Sequence, residues 1–98
     1  MNIRIQSLIG IARRANKIAS GDAQIEAMLK KRKGFLLIIA EDAHGTQKKY
    51  NQWASDLKLP VVVAGTKLEI GHSIGLSPRS AVLILDQGFA KAILLARS

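Results

Sequence analysis

Three uninterrupted apolar runs limit what this chain can become more than any other feature: Phe35 to Ala40, Val61 to Ala64 and Ala81 to Leu85. A strand with one wet face alternates apolar and polar side chains, so a run with no polar member needs cover on both faces. All three are therefore expected to be interior strands. The segments between them carry the cover. Ile5, Leu8, Ile9 and Ala12 fall on one face of a first helix, with Arg4 and Arg14 outside. Ile25, Met28 and Leu29 mark a second, which Ser20 is expected to cap and Lys33-Gly34 to close. Tyr50, Trp53, Ala54 and Leu57 give a third, stopped before Leu59-Pro60 because the residue preceding a proline is pushed out of helical backbone. Thr66 and Glu69 form a capping box for a fourth that ends at Gly75, and Asp86 caps a fifth with Phe89, Ile93 and Ala96 inward. Helices alternating with fully apolar strands predict the α/β class, as a three-layer α/β/α sandwich.

The chain has 98 residues, enough for a single domain over 1–98, and a domain of that size buries about 60 to 65% of its unfolded surface. With 48% apolar and 22% charged residues it is far from the composition of disordered chains. The absence of cysteine excludes disulfides, thiolate metal ligands and a cysteine nucleophile, and it suits a reducing compartment. No apolar run of signal-peptide length opens the sequence and none approaches the roughly 20 residues of a membrane span, so a cytoplasmic location without membrane contact is expected.

Fifteen Lys and Arg against seven Asp and Glu give a net charge of +8, which in a small domain attracts polyanions. The charge is uneven. Residues 1–33 hold eight bases and two acids, a surplus of six. Nucleic acid is favoured over a membrane surface, because no helix combines a basic face with exposed bulky aromatics. The strongest candidate site is the turn Ser20, Gly21, Asp22, Ala23, Gln24, with Lys17 before it and Lys30 to Lys33 after it. A helix amino end offers unpaired N–H groups to phosphates, Gly21 admits a backbone closely, and Gln24 carries both a donor and an acceptor suited to a base edge. Gln24, Ala27 and Lys31 share the outer face of that helix.

Other constellations carry less. Glu41, Asp42 and His44 follow a buried strand, but only one other histidine, His72, exists and no second carboxylate pair completes a metal shell. They read as turn residues, with Glu41 or Asp42 capping the third helix. Gly45 to Lys49 lacks phosphate-loop spacing and reads as a helix start. His72 reads as a surface residue, and Tyr50 and Trp53 as core rather than base-stacking groups. No catalytic group, metal or cofactor is expected, and the chain is not expected to be an enzyme.

Several stretches, in order and together, carry a resemblance: Leu8 to Lys17, Ser20-Gly21, Ile38 to Ala43, Leu59 to Val61, Gly71 to Gly75 and Gln87 to Ala90. They resemble the kink-turn-binding ribosomal protein family of the large-subunit proteins L-seven-Ae and L-thirty-e, in its bacterial YlxQ-like branch. The resemblance implies a four-stranded mixed sheet and an RNA surface made of the turn before the second helix plus the loop before the last strand. The family's Gly-x-Asn-Glu-x-x-Lys motif falls on Gly21 to Ala27. Gly21 matches and Gln24 stands where members carry Gln or Glu, whereas Ala23 replaces the asparagine and Ala27 the lysine. Alanine can neither reach a guanine edge nor neutralise a phosphate; Lys31 matches a basic position in the motif's extension. The second loop maps to Leu76, Ser77, Pro78, Arg79 and Ser80, with Leu76 and Pro78 as apolar platform and Arg79 as a phosphate or stacking contact. The expected partner is a structured RNA, ribosomal or messenger and kink-turn-like, bound by a monomer associated with the ribosome. The alternative is a protein–protein adaptor on the same scaffold, favoured by the two alanines.

Overall fold

In a computed structural model, which describes residues 1–97, nine elements follow one another: α1 (Ile3–Arg14), β1 (Ile18–Ala19), α2 (Asp22–Lys30), β2 (Leu36–Ile39), α3 (Thr46–Leu57), β3 (Val61–Val63), α4 (Lys67–Ser73), β4 (Ala81–Ile84) and α5 (Gln87–Ala96). The strands form one mixed sheet in the order β1-β4-β2-β3. β4 runs antiparallel to both neighbours, opposing Ile84 to Ile18 and Leu36, while β2 and β3 are parallel, opposing Leu37 to Val61. α1 packs on α4 and α5, α2 lies against β1 and β4, and α2 is tied to α3, giving the α/β/α sandwich.

The apolar runs account for the centre. Every residue of β2 and of β4 is buried, and Ile5, Ile9, Ile25, Leu29, Tyr50, Ile70 and Ile93 close over them from the helices. β3 departs from the expectation of an interior strand. It pairs only with β2, and of its three valines only Val62 is buried while Val63 is 47% exposed. An apolar run without alternation is silent about whether a strand has one neighbour or two, so its edge position could not be read from composition.

Helix ends also differ from expectation. α2 has Gly21, not Ser20, at its N-cap and no side chain caps it. The Gln24 Oε1 instead accepts from the Ser20 N–H at 3.2 Å. Asp42 caps, but at another helix: its Oδ1 accepts from the Lys67 N–H of α4 at 2.9 Å, while α3 has Gly45 at its N-cap and no side-chain cap. The reason is topological, since parallel β2 and β3 end side by side and the loops leaving them touch, as the Glu41 N–H bond to the Gly65 carbonyl shows. The expected caps at Thr66, with Glu69 reciprocating, and at Asp86 are present.

Four helices close in one way, with a residue in the left-handed region and an N–H just beyond it bonded back to a carbonyl five residues earlier. The left-handed residues are Asn16 (φ 60°), Arg32 (φ 57°), Lys58 (φ 52°) and Gly75 (φ 70°). The bonds are Lys17 to Ala12 at 2.8 Å, and Lys33 to Met28, Leu59 to Ala54 and Leu76 to Gly71 at 2.9 Å each. α2 thus turns at Arg32, two residues before the glycine expected to close it.

Candidate nucleic-acid interface

The amino end of α2 and the segment 76–80 meet, although some 55 residues separate them in the chain. Each is placed by short-range rules. α1 ends in the left-handed turn at Asn16, with the Lys17 N–H returned to the Ala12 carbonyl at 2.8 Å, and β1, fixed by its pairing to β4, leads directly into α2, so the end of the first helix lies beside the start of the second. The second segment is aimed by the α4 terminus. Gly75 takes the left-handed turn, the Leu76 N–H returns to the Gly71 carbonyl, and the Arg79 N–H bonds the Lys67 carbonyl at 3.0 Å. The loop therefore lies flat on α4. Gly71 allows this: a Cβ there would stand 2.3 Å from the Ser77 carbonyl oxygen and 2.9 Å from the Pro78 Cα.

Between the two segments lies a cavity of about 330 Å³ lined by Ser20, Gly21, Gln24, Leu76 and Arg79, together with Arg13, Asn16, Ile18 and Ala23. A smaller one of about 240 Å³ continues past Ser20, Gly21 and Asp22 to Pro78, Arg79, Ser80 and Ala81. Arg79 borders both. Its Nη1 donates to the Ser77 Oγ at 2.7 Å and the Ser77 carbonyl at 3.1 Å, and its Nε is buried with no partner among the described residues. The loop thus holds the guanidinium in place through Nη1, while Nη2, which makes no hydrogen bond among the described residues, is left as a donor for a fixed acceptor such as a phosphate. Gln24, having spent its Oε1 on Ser20, keeps the Nε2 as a donor. Among the described residues no carboxylate lines the larger cavity, while Arg13 and Arg79 do.

Of the residues singled out from sequence, Ser20, Gly21, Gln24, Leu76, Pro78, Arg79 and Ser80 come together, with Ser77 bracing Arg79 from beneath. Lys17 and Lys31 do not. Lys17 lines a separate cavity beyond the far end of α2, and Lys31 stands exposed at the C-cap of that helix. The Asp22 carboxylate is engaged with α3: its Oδ1 accepts from the Tyr50 hydroxyl at 2.8 Å and its Oδ2 lies 3.3 Å from the Lys49 Nζ. The Tyr50 hydrogen bond, then Lys49, holds the Asp22 carboxyl below the usual carboxylate range, and burial followed by Asp22 pushes the Tyr50 phenol up. Arg13 and Asn16 were missed. What brings them in is the left-handed turn at Asn16, a residue type that tolerates positive φ, which folds the α1 end back toward the α2 start.

The sequence model of the family described as "Ribosomal protein L7Ae/L30e/S12e/Gadd45 family" matches residues 3–94. The chain is 32% identical over 88 residues to a Bacillus subtilis (strain 168) protein named "RNA-binding protein YlxQ", covering 89% of this chain and 88% of that one. It is 34% identical over 89 residues to an Enterococcus faecium protein of the same name, covering 90% and 85%. Among solved structures it is similar to a Bacillus halodurans protein of unknown function, with a TM-score of 0.89, 28% identity and 95% of both chains covered. A Giardia lamblia 15.5kD RNA binding protein shares the fold at a TM-score of 0.80 and 19% identity, covering 96% of this chain and 82% of that one.

Proposed function

The chain belongs to the ribosomal protein L7Ae/L30e/S12e/Gadd45 family, and from that premise we propose that it binds a structured, kink-turn-like RNA without catalysing a reaction. The observation that carries this is the cavity in which Gln24, Arg79, Arg13 and Leu76 converge on the uncapped amino end of α2. Its chemistry is that of an RNA site: outward backbone N–H groups and two guanidiniums for phosphate, an amide donor for a base edge, and Leu76 with Pro78 as an apolar surface for an extruded base. The names of the two bacterial relatives support RNA as the ligand. In this reading Arg13 supplies, from α1, a charge that Ala27 does not supply from α2. Association with the ribosome in the cytoplasm, as a monomer, completes the proposal.

The test compares a kink-turn RNA with an unkinked duplex of equal length. The wild type prefers the kink-turn, and Gln24→Ala or Arg79→Ala each weaken it. Ala23→Asn with Ala27→Lys strengthens it by about 5- to 150-fold, from roughly 1 to 3 kcal/mol for an added base-edge contact and phosphate contact. Equal gains on both RNAs, or no wild-type preference, overturn the kink-turn reading. A second reading as a protein–protein adaptor is favoured by the side chains at Ala23 and Ala27 and by exposed Ile3, Leu68 and Leu95, which are 80%, 68% and 77% accessible. It gains if the wild type binds neither RNA.

A further inference from the structure

At the carboxyl end of α2 lies another cavity, of about 430 Å³, lined by Lys17, Arg32 and Lys33 on its rim and by Met28, Phe35 and Leu85 on its floor. It is built from the strand ends. The Phe35 N–H bonds the Ile84 carbonyl at 2.8 Å and the Leu85 N–H bonds the Lys17 carbonyl at 2.8 Å, so the segments bearing Phe35 and Leu85 on the floor and Lys17 on the rim are tied side by side. The rim is placed by the two left-handed helix ends at Asn16 and Arg32, which set Lys17 and Lys33 as the residues immediately after the turns of α1 and α2. Among the described residues none of the three cations is ion-paired, and no carboxylate residue lines the cavity.

Phe35 is 43% exposed and also borders a neighbouring cavity of about 320 Å³ beside α5, so the ring stands as a wall between two open spaces. A ligand that matches this surface has a flat, weakly polar face for the phenyl ring and negative charge at its edge for the three cations. An unpaired nucleotide has both. Asn16 borders both this cavity and the one at Gln24 and Arg79, and the two lie toward opposite ends of α2, nine residues and so about 13 Å long.

We propose that this cavity is a second RNA site, holding one unpaired nucleotide of the strand that continues from the folded RNA, with its base on Phe35 and its phosphate among Lys17, Arg32 and Lys33. The proposal rests on the RNA-binding reading but is tested apart from it, by backbone amide shifts of the full chain titrated with adenosine monophosphate. Shifts gather at Lys17 and at Lys33 to Phe35, and Phe35→Leu or Lys17→Gln with Lys33→Gln removes them. If inorganic phosphate moved the same amides with equal affinity, if the shifts lay at Gly21, Gln24 and Arg79 instead, or if an oligoglutamate peptide bound the site more tightly, the proposal would fail. A second measurement links it to RNA. A kink-turn carrying a three-nucleotide single-stranded extension binds the wild type more tightly than the blunt form, by about the 5- to 150-fold that one stacked base contributes. Phe35→Leu erases that gain and leaves the blunt RNA unaffected. A wild type that binds kink-turn and duplex alike while the mononucleotide shifts stay intact would mark failure of the first reading alone.

Discussion

Replacing Gly71 by alanine sets two effects of similar size against each other, and the structure decides which wins. In a helix interior alanine is favoured over glycine by about 1 kcal/mol, so on propensity alone Gly71→Ala stabilises α4. The new Cβ, however, would lie 2.3 Å from the Ser77 oxygen, 2.7 Å from its carbon and 2.9 Å from the Pro78 Cα, all backbone atoms. No side chain can rotate to relieve this, so the loop must recede by roughly 1 Å, at the 1 to 3 kcal/mol typical of overpacking. Recession also stretches the Leu76 bond to the Gly71 carbonyl and the Arg79 bond to the Lys67 carbonyl, each contributing about 0.5 to 1.5 kcal/mol. The net expectation is a loss of about 1 to 2 kcal/mol, a fall in Tm of at least about 4 °C for a domain this size. RNA affinity falls by about tenfold or more, because Arg79 and Leu76 move together away from Gln24; one lost charge-assisted contact suffices for that. The assays are a thermal melt and kink-turn binding, with Gly21→Ala as the stability control, since a Cβ at Gly21 meets nothing within 4 Å. An alanine variant at 71 that melts at or above the wild type and binds RNA unchanged refutes the view that this glycine seats the loop.

Two further outcomes are expected. Tyr50 is the sole tyrosine and its phenol is held above the ordinary range by burial and by Asp22, so its stabilisation is present below about pH 10 and lost as the pH rises beyond that. Phenolate absorbance should therefore appear only with unfolding; ionisation near pH 10 in a folded chain contradicts the burial argument. In the acid limb the sign reverses, because the Asp22 carboxyl is depressed: Tyr50→Phe costs about 1 kcal/mol at neutral pH, less whatever solvent screens, and its gap to the wild type narrows below about pH 4. Asp42→Ala removes an acceptor from α4 rather than α3, for a loss of about 1 kcal/mol. Hydrogen exchange at the Lys67 amide accelerates while the first turn of α3 is unchanged, and the opposite pattern would restore the cap to α3.

What the sequence made legible was whatever depends on periodicity and on neighbours within four residues. The apolar runs and stripes located all five helices and three of the four strands, and the caps at Thr66 and Asp86 were readable because both partners of each lie within one helical turn. Two-residue β1 is too short for any period: the residues mark Lys17 to Ala19 only as a short extended entry to the second helix, and the count of four strands comes from the family resemblance. Asp42 was misassigned because its partner lies 25 residues away, across the β2–β3 juxtaposition. The left-handed turn at Arg32 leaves no mark in the sequence, since positive φ is uncommon for a residue other than glycine, whereas Gly34 two residues on is the expected closing residue. For the candidate site, the turn at Gly21 and the loop at Arg79 were recognisable by resemblance, whereas the separation of Lys17 and Lys31 from both, and the arrival of Arg13, follow from how α1 and α2 are set against each other.

The strand order has a consequence for how the molecule comes into being on the ribosome. β4 occupies the gap between β1 and β2, so the strand made last is the one that joins the first to the rest. Until it emerges, β1 has no partner and the wholly apolar β2 presents one bare edge. Roughly 45 residues separate the end of β2 from the end of β4, an interval of about 2 to 9 s at ordinary elongation rates. During that time only the local β2-α3-β3 unit can pair, and the amino-terminal helices, with the basic third of the chain, wait unanchored. Since β1 and β4 oppose Ile18 to Ile84, closure of the sheet spans two thirds of the chain, and completion comes as a late, slow, all-at-once step rather than a progressive assembly behind the elongating end.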